Sequence, residues 1–306
     1  MTWRIVEITS SSKLEYRLNY LVVRNTEGTR KVYIPEIAVL IIESTAVSIT
    51  AALLCELIKR KIKVIFCDEK RNPYSELIPY YGSHDCVRKL RDQSSWNYEI
   101  KEQAWTRIVR DKICKQRDVL IRWNHEKQAS MLDGYINEID EYDSSNREGH
   151  AAKVYFNVIF GDEFTRGFPD PINSALDYGY AILLSAFNRE VSVSGYYTQI
   201  GIFHDNVFNQ FNLSCDLMES FRPIVDECVL EMNPTEFGSA EKKRLVDLLN
   251  SIVYISGKQN YLINAIRIYV QSFFLAMETN DIEKMVSYEV KIHESDCVLR
   301  SSDRDV

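Results

Sequence analysis

The residues in this sequence whose types and spacing could do chemistry are few: a glutamate at a helix start, a lone histidine, and two acids three apart. In SSNREGHAAKVYFNVIF (144–160), Glu148 follows Ser145 by three positions, ahead of an apolar stripe of Ala152, Tyr155, Phe156 and Ile159. That is the spacing of a capping box, in which the glutamate bonds back to the cap N–H. Gly149 comes next, a poor helix former. A missing side chain there would let a bulky group, such as a nucleic-acid backbone, approach Glu148. Taken alone the segment reads as a helix start, yet a carboxylate beside an opening equally suits a metal ligand.

His204 lies in GIFHDN, between apolar Ile202 and Phe203 and polar Asp205 and Asn206. A hydrogen-bonded structural histidine and a ligand are both open readings. Downstream, Leu213, Leu217, Met218, Phe221, Ile224, Val225 and Cys228 mark one helix face, and Asp216 and Glu219 share the other. The two acids stand roughly 60° apart around the axis. Like charges so placed repel, and either water or a cation relieves them. Pro223 lacks the N–H that would bond the Glu219 carbonyl, so a bend is expected beside that carboxylate. Arg222 reads as an ion-pair partner of these acids. Between 101 and 122, Lys101, Arg107, Arg110, Lys112, Lys115, Arg117 and Arg122 interleave with Glu102, Asp111 and Asp118. This reads as a solvated helix, with a phosphate-backbone contact as the alternative. Trp96, Trp105 and Trp123 read as core anchors. The sequence has no GxGxxG, Walker lysine loop, GxSxG elbow or HExxH.

The elements that must position these groups fall into two parts. Residues 1–78 are β-rich: WRIVEI (3–8), KLEYRLNYLVVRN (13–25), RKVYI (30–34), AVLIIES (38–44) and KVIFCD (63–68) have strand composition. SITAALLCELIK (48–59) changes to helical period, and the Lys59–Lys63 cations suit its C-terminal end. From about Tyr80 the pattern is helical, with helices expected near 102–123, 145–160, 173–187, 214–231, 239–256 and 258–278. The reading is α+β, a small N-terminal β-rich domain (1–78) followed by a larger all-helical C-terminal domain (79–306), with a loose end after Glu278. Only 11 glycines and 7 prolines in 306 residues accord with long helices.

Composition excludes several classes. The N-terminal stretch has no apolar core of signal-peptide length, and no apolar run nears the roughly 18 residues of a membrane span. A soluble, cytoplasmic protein without membrane association is expected. The seven cysteines include no CxxC pair, which is against a disulfide framework or zinc ribbon. A net charge of −7 argues against nucleic-acid binding by bulk positive charge, though not against a local groove or a cation bridging carboxylates to phosphate.

REGHAAKVYF, INSALDYGYAILLS (172–185) and IGIFHDN…NLSCDLMESFRPIVD together resemble the CRISPR adaptation integrase, the first CRISPR-associated protein, over essentially the whole chain. The phrasing around DLMESFRP is most similar to members that accompany type II systems. The resemblance implies a catalytic metal set of Glu148, His204 and Glu219, with Asp216 behind it or as an extra ligand. Two carboxylates and one imidazole suit Mg²⁺ or Mn²⁺, the nitrogen favouring Mn²⁺. It further implies insertion of DNA spacers into a repeat array by 3′-hydroxyl attack on a phosphodiester. The implied partners are double-stranded DNA, a second copy of the chain joined through the β-rich domain, the small second adaptation protein in a four-to-two complex, and further type II adaptation proteins. A metal-dependent nuclease or transposon-type integrase outside CRISPR, or a non-catalytic DNA-binding scaffold, are the competing readings.

Overall fold

The computed structural model describes residues 4–77 and 84–290. The expected domain boundary at 78/79, Cys297 and the end of the acidic tail lie outside these residues.

The N-terminal part holds β1 (Arg4–Ile8), β2 (Ser12–Arg17), β3 (Tyr20–Asn25), β4 (Gly28–Tyr33), β5 (Ile37–Ile42), β6 (Val47–Ile49), α1 (Ala51–Lys59), β7 (Lys63–Cys67) and β8 (Pro73–Glu76). They form two four-stranded sheets, ordered β1-β5-β7-β8 and β4-β3-β2-β6. KLEYRLNYLVVRN, which reads as one strand, folds back on itself: Leu18 and Asn19 both take positive φ, and Arg17 pairs with Tyr20. A Leu-Asn turn lacks the Asn-Gly signal that marks such hairpins.

Strand β5, IAVLII, is buried at all six positions. Ile37, Leu40 and Ile42 pack with Leu14, Leu21, Leu53 and Leu57, while Ala38, Val39 and Ile41 join the core of the helical part. A parallel strand covered on both faces has no polar side to show, hence the unbroken apolar run. The two parts are also tied by polar bonds. Arg189 Nε donates to the Lys61 carbonyl at 2.8 Å, and Lys242 Nζ to the Lys70 carbonyl at 2.7 Å.

The second part contains α2 (Cys86–Ser94), α3 (Tyr98–Arg122), α4 (Glu126–Glu138), α5 (Arg147–Phe160), α6 (Pro171–Val193), α7 (Asn212–Met218), α8 (Arg222–Met232), α9 (Ser239–Asp247) and α10 (Leu262–Thr279). α+β organisation, β-rich first and helical second, is therefore observed. Two helices expected in sequence are replaced in part by strands. Helix α9 stops at Asp247, and β9 (Ile252–Ile255) turns through Ser256 and Gly257, both with positive φ, into β10 (Lys258–Tyr261). With β11 (Tyr288–Glu289) they make a three-stranded sheet. The β-branched run Ile252-Val253 and the turn chemistry of Ser-Gly outweigh the helical period on either side.

Helix α3 is not a solvated basic helix. Ten of its residues are buried, Trp105 and Lys112 among them, and it runs through the middle of the helical part. Six of its cations, Arg107, Arg110, Lys112, Lys115, Arg117 and Arg122, are engaged by other groups of the protein. Arg107 donates to the Ile282 and Met285 carbonyls, Arg110 to Ile136, and Arg122 pairs with Glu227. Arg117 pairs with Asp118 and Asp133, and Lys115 lies over the Tyr288 ring. Among the described residues no helix is long and apolar enough to cross a membrane.

Candidate metal centre

Helix α5 delivers Glu148, and its start is capped from an unexpected direction. Asp143 accepts from the N–H groups of Arg147 (2.8 Å) and Glu148 (3.0 Å), and Asn146, at φ 54°, accepts from Gly149 (3.3 Å). The orphan donors of the first turn are thus satisfied without Ser145 or Glu148. The Ser145 hydroxyl is buried without a partner, so the expected Ser145 cap is not formed. A Cβ on Gly149 would come within 2.7 Å of the Asn146 side chain. The Asn146 side chain fills the space beside Gly149, so the opening expected there for a DNA backbone is absent.

Relieved of capping, the Glu148 carboxylate accepts from Lys112 Nζ. The same ammonium donates to Glu219 Oε2 at 2.6 Å. Lys112 thereby gathers α3, α5 and the turn after α7 onto one charged atom. Glu219 stands where α7 gives way to a 3-10 turn, Glu219–Phe221, before α8 begins with Pro223 in its first turn. This is the break that the proline requires. Asp216 and Glu219 do not form a solvated acidic face: they are 0% and 5% exposed. Arg222 reaches Glu219 Oε1 at 2.8 Å. Burial alone would raise the Glu219 carboxyl, but the Lys112 and Arg222 cations outweigh it and hold the group below its ordinary range.

His204 is placed by Asp216. The two Asp216 oxygens accept from the backbone N–H of Ile202 (2.7 Å), Phe203 (3.2 Å) and His204 (3.0 Å), and from His204 Nδ1 at 2.6 Å. With Nδ1–H so committed, Nε2 carries the lone pair, the arrangement of a carboxylate-braced metal-binding histidine. The hydrogen bond to Asp216 raises the imidazole pKa, against the opposing effect of burial. A Cβ on Gly201 would stand 2.4 Å from the His204 carbonyl oxygen and 2.7 Å from Asp216 Oδ2. Only glycine lets the loop wrap its acid this closely. Phe203 stacks on Trp105 with ring centroids 4.0 Å apart, and the Tyr142 hydroxyl donates to the Ile202 carbonyl at 3.0 Å.

Sequence reasoning nominated Glu148, His204, Asp216 and Glu219, and the structure brings them to neighbouring positions around Lys112 and the 201–204 loop. It missed Lys112, Gly201 and Asn146. For Lys112 a signal existed: it falls in the i, i+3, i+4 stripe of Trp105, Ile108, Val109, Ile113 and Gln116, where a cation needs a buried partner.

Among the described residues, no three His, Cys, Asp or Glu side chains are gathered as a ready metal cluster. Glu148 and Glu219 instead share the Lys112 ammonium, near the imidazole that Asp216 braces. In chemistry the set fits a divalent ion. Two carboxylates already converge on one positive atom, and an imidazole is fixed with Nδ1 protonated.

A β-rich part of two small sheets followed by a helical part is an architecture shared with solved structures. One solved neighbour, a casposase bound to integration product, superposes with TM-score 0.76, at 19% identity over 99% of this chain and 100% of that one. Another, a Cas6-RT-Cas1–Cas2 complex, gives TM-score 0.72 at 18% identity over 94% of this chain; this chain spans 36% of that larger one. Residues 6–240 match the sequence profile of the family described as CRISPR associated protein Cas1. The CRISPR-associated endonuclease Cas1 of Neisseria meningitidis serogroup C (strain 8013) is 32% identical over 278 residues, 89% of this chain and 91% of the relative. The chain belongs to the Cas1 family of CRISPR-associated endonucleases.

Proposed function

We propose that this chain is a divalent-metal-dependent integrase that joins the 3′-end of a captured DNA spacer to a CRISPR repeat. The observation that carries this reading is the convergence of Glu148 and Glu219 on one cation beside an imidazole braced by Asp216. Glu148, His204 and Glu219 would hold Mg²⁺ or Mn²⁺, which when bound polarises the phosphodiester and stabilises charge on the departing oxygen. The chain's own residues prepare that state. Asp216 spends both oxygens on the loop and the ring, so it serves as brace and not as ligand. Lys112 and Arg222 keep Glu219 ionised in a buried position. In the joining step the spacer 3′-oxygen forms a new bond to phosphorus and the repeat's own 3′-oxygen leaves with a proton. One phosphodiester is exchanged for another, so no nucleoside triphosphate is consumed.

The casposase neighbour, named for its integration product, and the neighbour named for a Cas1–Cas2 complex support DNA and a small Cas2-type protein as partners. The chain would work in the cytoplasm as a homodimer through residues 1–78, with 79–306 as catalytic domain. Two such dimers would flank one dimer of the small protein, with further type II adaptation proteins joining. The test is a supercoiled plasmid bearing a repeat, a short duplex with free 3′-ends, the small partner and Mn²⁺. Wild-type protein is expected to give covalently joined product, and Glu148→Gln and His204→Ala none. Full joining by either variant would sink the assignment. Cutting without joining by the wild type would favour a plain nuclease.

A further inference from the structure

Glutamine is mostly a surface residue, yet Gln93 in the last turn of α2 is 0% exposed. Its carboxamide is spent on a distant stretch of chain. Nε2 donates to the carbonyls of Tyr197 and Ile200, each at 2.8 Å, and Oε1 accepts from the Tyr197 N–H at 2.9 Å. Three of its four hydrogen-bonding places thus serve residues 197–200, which lead directly into Gly201 and His204. One turn earlier in α2, Lys89 Nζ donates to the Ser194 carbonyl at 2.7 Å.

The loop between α6 and α7 belongs to no sheet, so its backbone groups must find partners elsewhere. Asp216 supplies them for 202–204, and Asn212 Nδ2 donates to the carbonyls of Gln199 (3.1 Å) and Asn206 (3.0 Å). Gln93 supplies them for Tyr197 and Ile200. The imidazole is therefore held between two anchors, one in α7 and one in α2. Removing the α2 anchor takes the partners from two carbonyls and one N–H beside a fully buried side chain, and the loop must shift to satisfy them.

We propose that Gln93 is a positioning residue for His204: α2, through this one carboxamide, sets where the loop presents the imidazole relative to Glu148 and Glu219. The inference rests on the reading of His204 as a metal ligand. It gives α2, the first helix after the β-rich part, a role in the site although it contributes no ligand.

The experiment uses full-length Gln93→Ala, the space-filling Gln93→Met, and Lys89→Ala as neighbour control. Three quantities are read: amide exchange over 197–204, the His204 imidazole nitrogen signals, and Mn²⁺ affinity by calorimetry. Gln93→Ala is expected to speed exchange over 197–204 while α6 and α7 keep their protection. It should shift the imidazole signals and weaken Mn²⁺ about tenfold, the lower end for partners behind metal ligands. Gln93→Met fills the space of the glutamine without making its hydrogen bonds, so the same loop effects are expected without a cavity. If Gln93→Ala does not fold, Gln93→Met decides by the same readings. Affinity within about twofold of wild type, with unchanged exchange and imidazole signals, overturns the proposal. So does an equal loss in Lys89→Ala, which would point to α2 packing at large. Failure of the wild type to bind Mn²⁺ would instead overturn the ligand reading, and exchange and imidazole signals would still judge Gln93.

Discussion

Replacing Lys112 by methionine keeps the length and apolar stem of the side chain and deletes the charge on which two carboxylates converge. The Lys112 side chain is 9% exposed, Glu219 6% and Glu148 30%. Breaking a buried ion pair from one side costs about 3–5 kcal/mol, because the partner is left charged and dry. Here Arg222 still reaches Glu219 at 2.8 Å and water reaches Glu148, so the lower end, about 3 kcal/mol, is expected. At roughly 2–4 °C per kcal/mol for a domain of this size class, the melting temperature without metal should fall by roughly 6–12 °C. A divalent ion would replace the lost charge between the same carboxylates. Saturating Mn²⁺ should therefore raise the melting temperature of Lys112→Met by more than it raises wild type, through preferential binding to the folded state. Thermal melts of both proteins, with chelator and with Mn²⁺, check this. A variant that melts within about 1 °C of wild type in chelator would refute the clamp. Equal Mn²⁺ increments in the two proteins would refute the idea that ammonium and metal serve the same carboxylates.

Gly201→Ala should cost roughly 1–3 kcal/mol by overpacking against the His204 carbonyl and Asp216, and chelator-free titration should show weakened Mn²⁺ binding. Asn146→Ala removes the acceptor of the Gly149 N–H; a loss of about 1 kcal/mol in urea unfolding is expected, with Ser145→Ala near neutral. Asp226, which accepts from the Tyr180 hydroxyl, is pushed by burial up to about 7. The folded state therefore holds a proton that the unfolded chain, near 3.8, has released, and this contribution to stability is lost as pH rises from about 4 to 7. The slope is at most about 1.4 kcal/mol per pH unit. Asp226→Asn should flatten the stability profile over that window and melt higher than wild type at pH 8; an unchanged profile would refute it.

What the sequence made legible was whatever is encoded locally or by residue type. The apolar run of β5 announced a strand covered on both faces, and Pro223 announced the break that sets Glu219 in a turn. Spacing alone left Glu148, His204, Asp216 and Glu219 open between structural and ligand roles, and the family resemblance is what joined them into one set. Features that depend on distant partners were not legible. The basic content of 101–122 looked solvated because several of the groups that answer it come from far along the chain, Lys112 being met from 36 and 107 positions away and Arg107 from 178. The cap of α5 was misplaced by one residue, since Asn146 in a left-handed conformation competes with Ser145 on geometry that no spacing rule carries. The β9–β10 hairpin was absorbed into a helical period because two strands of four residues are too short to set a period of their own.

Lys112 meets Glu148 across 36 positions and Glu219 across 107. A chain emerging from the ribosome thus acquires the second carboxylate of its clamp only after more than two thirds of its 306 residues have been made. Domains fold progressively during synthesis, so the β-rich part has time to form before the Lys112 clamp can close. Truncated products ending before Glu219 would keep Glu148 and leave the Lys112 ammonium with one carboxylate in place of two, so the clamp that joins α3, α5 and the turn after α7 is a mark of a nearly complete chain.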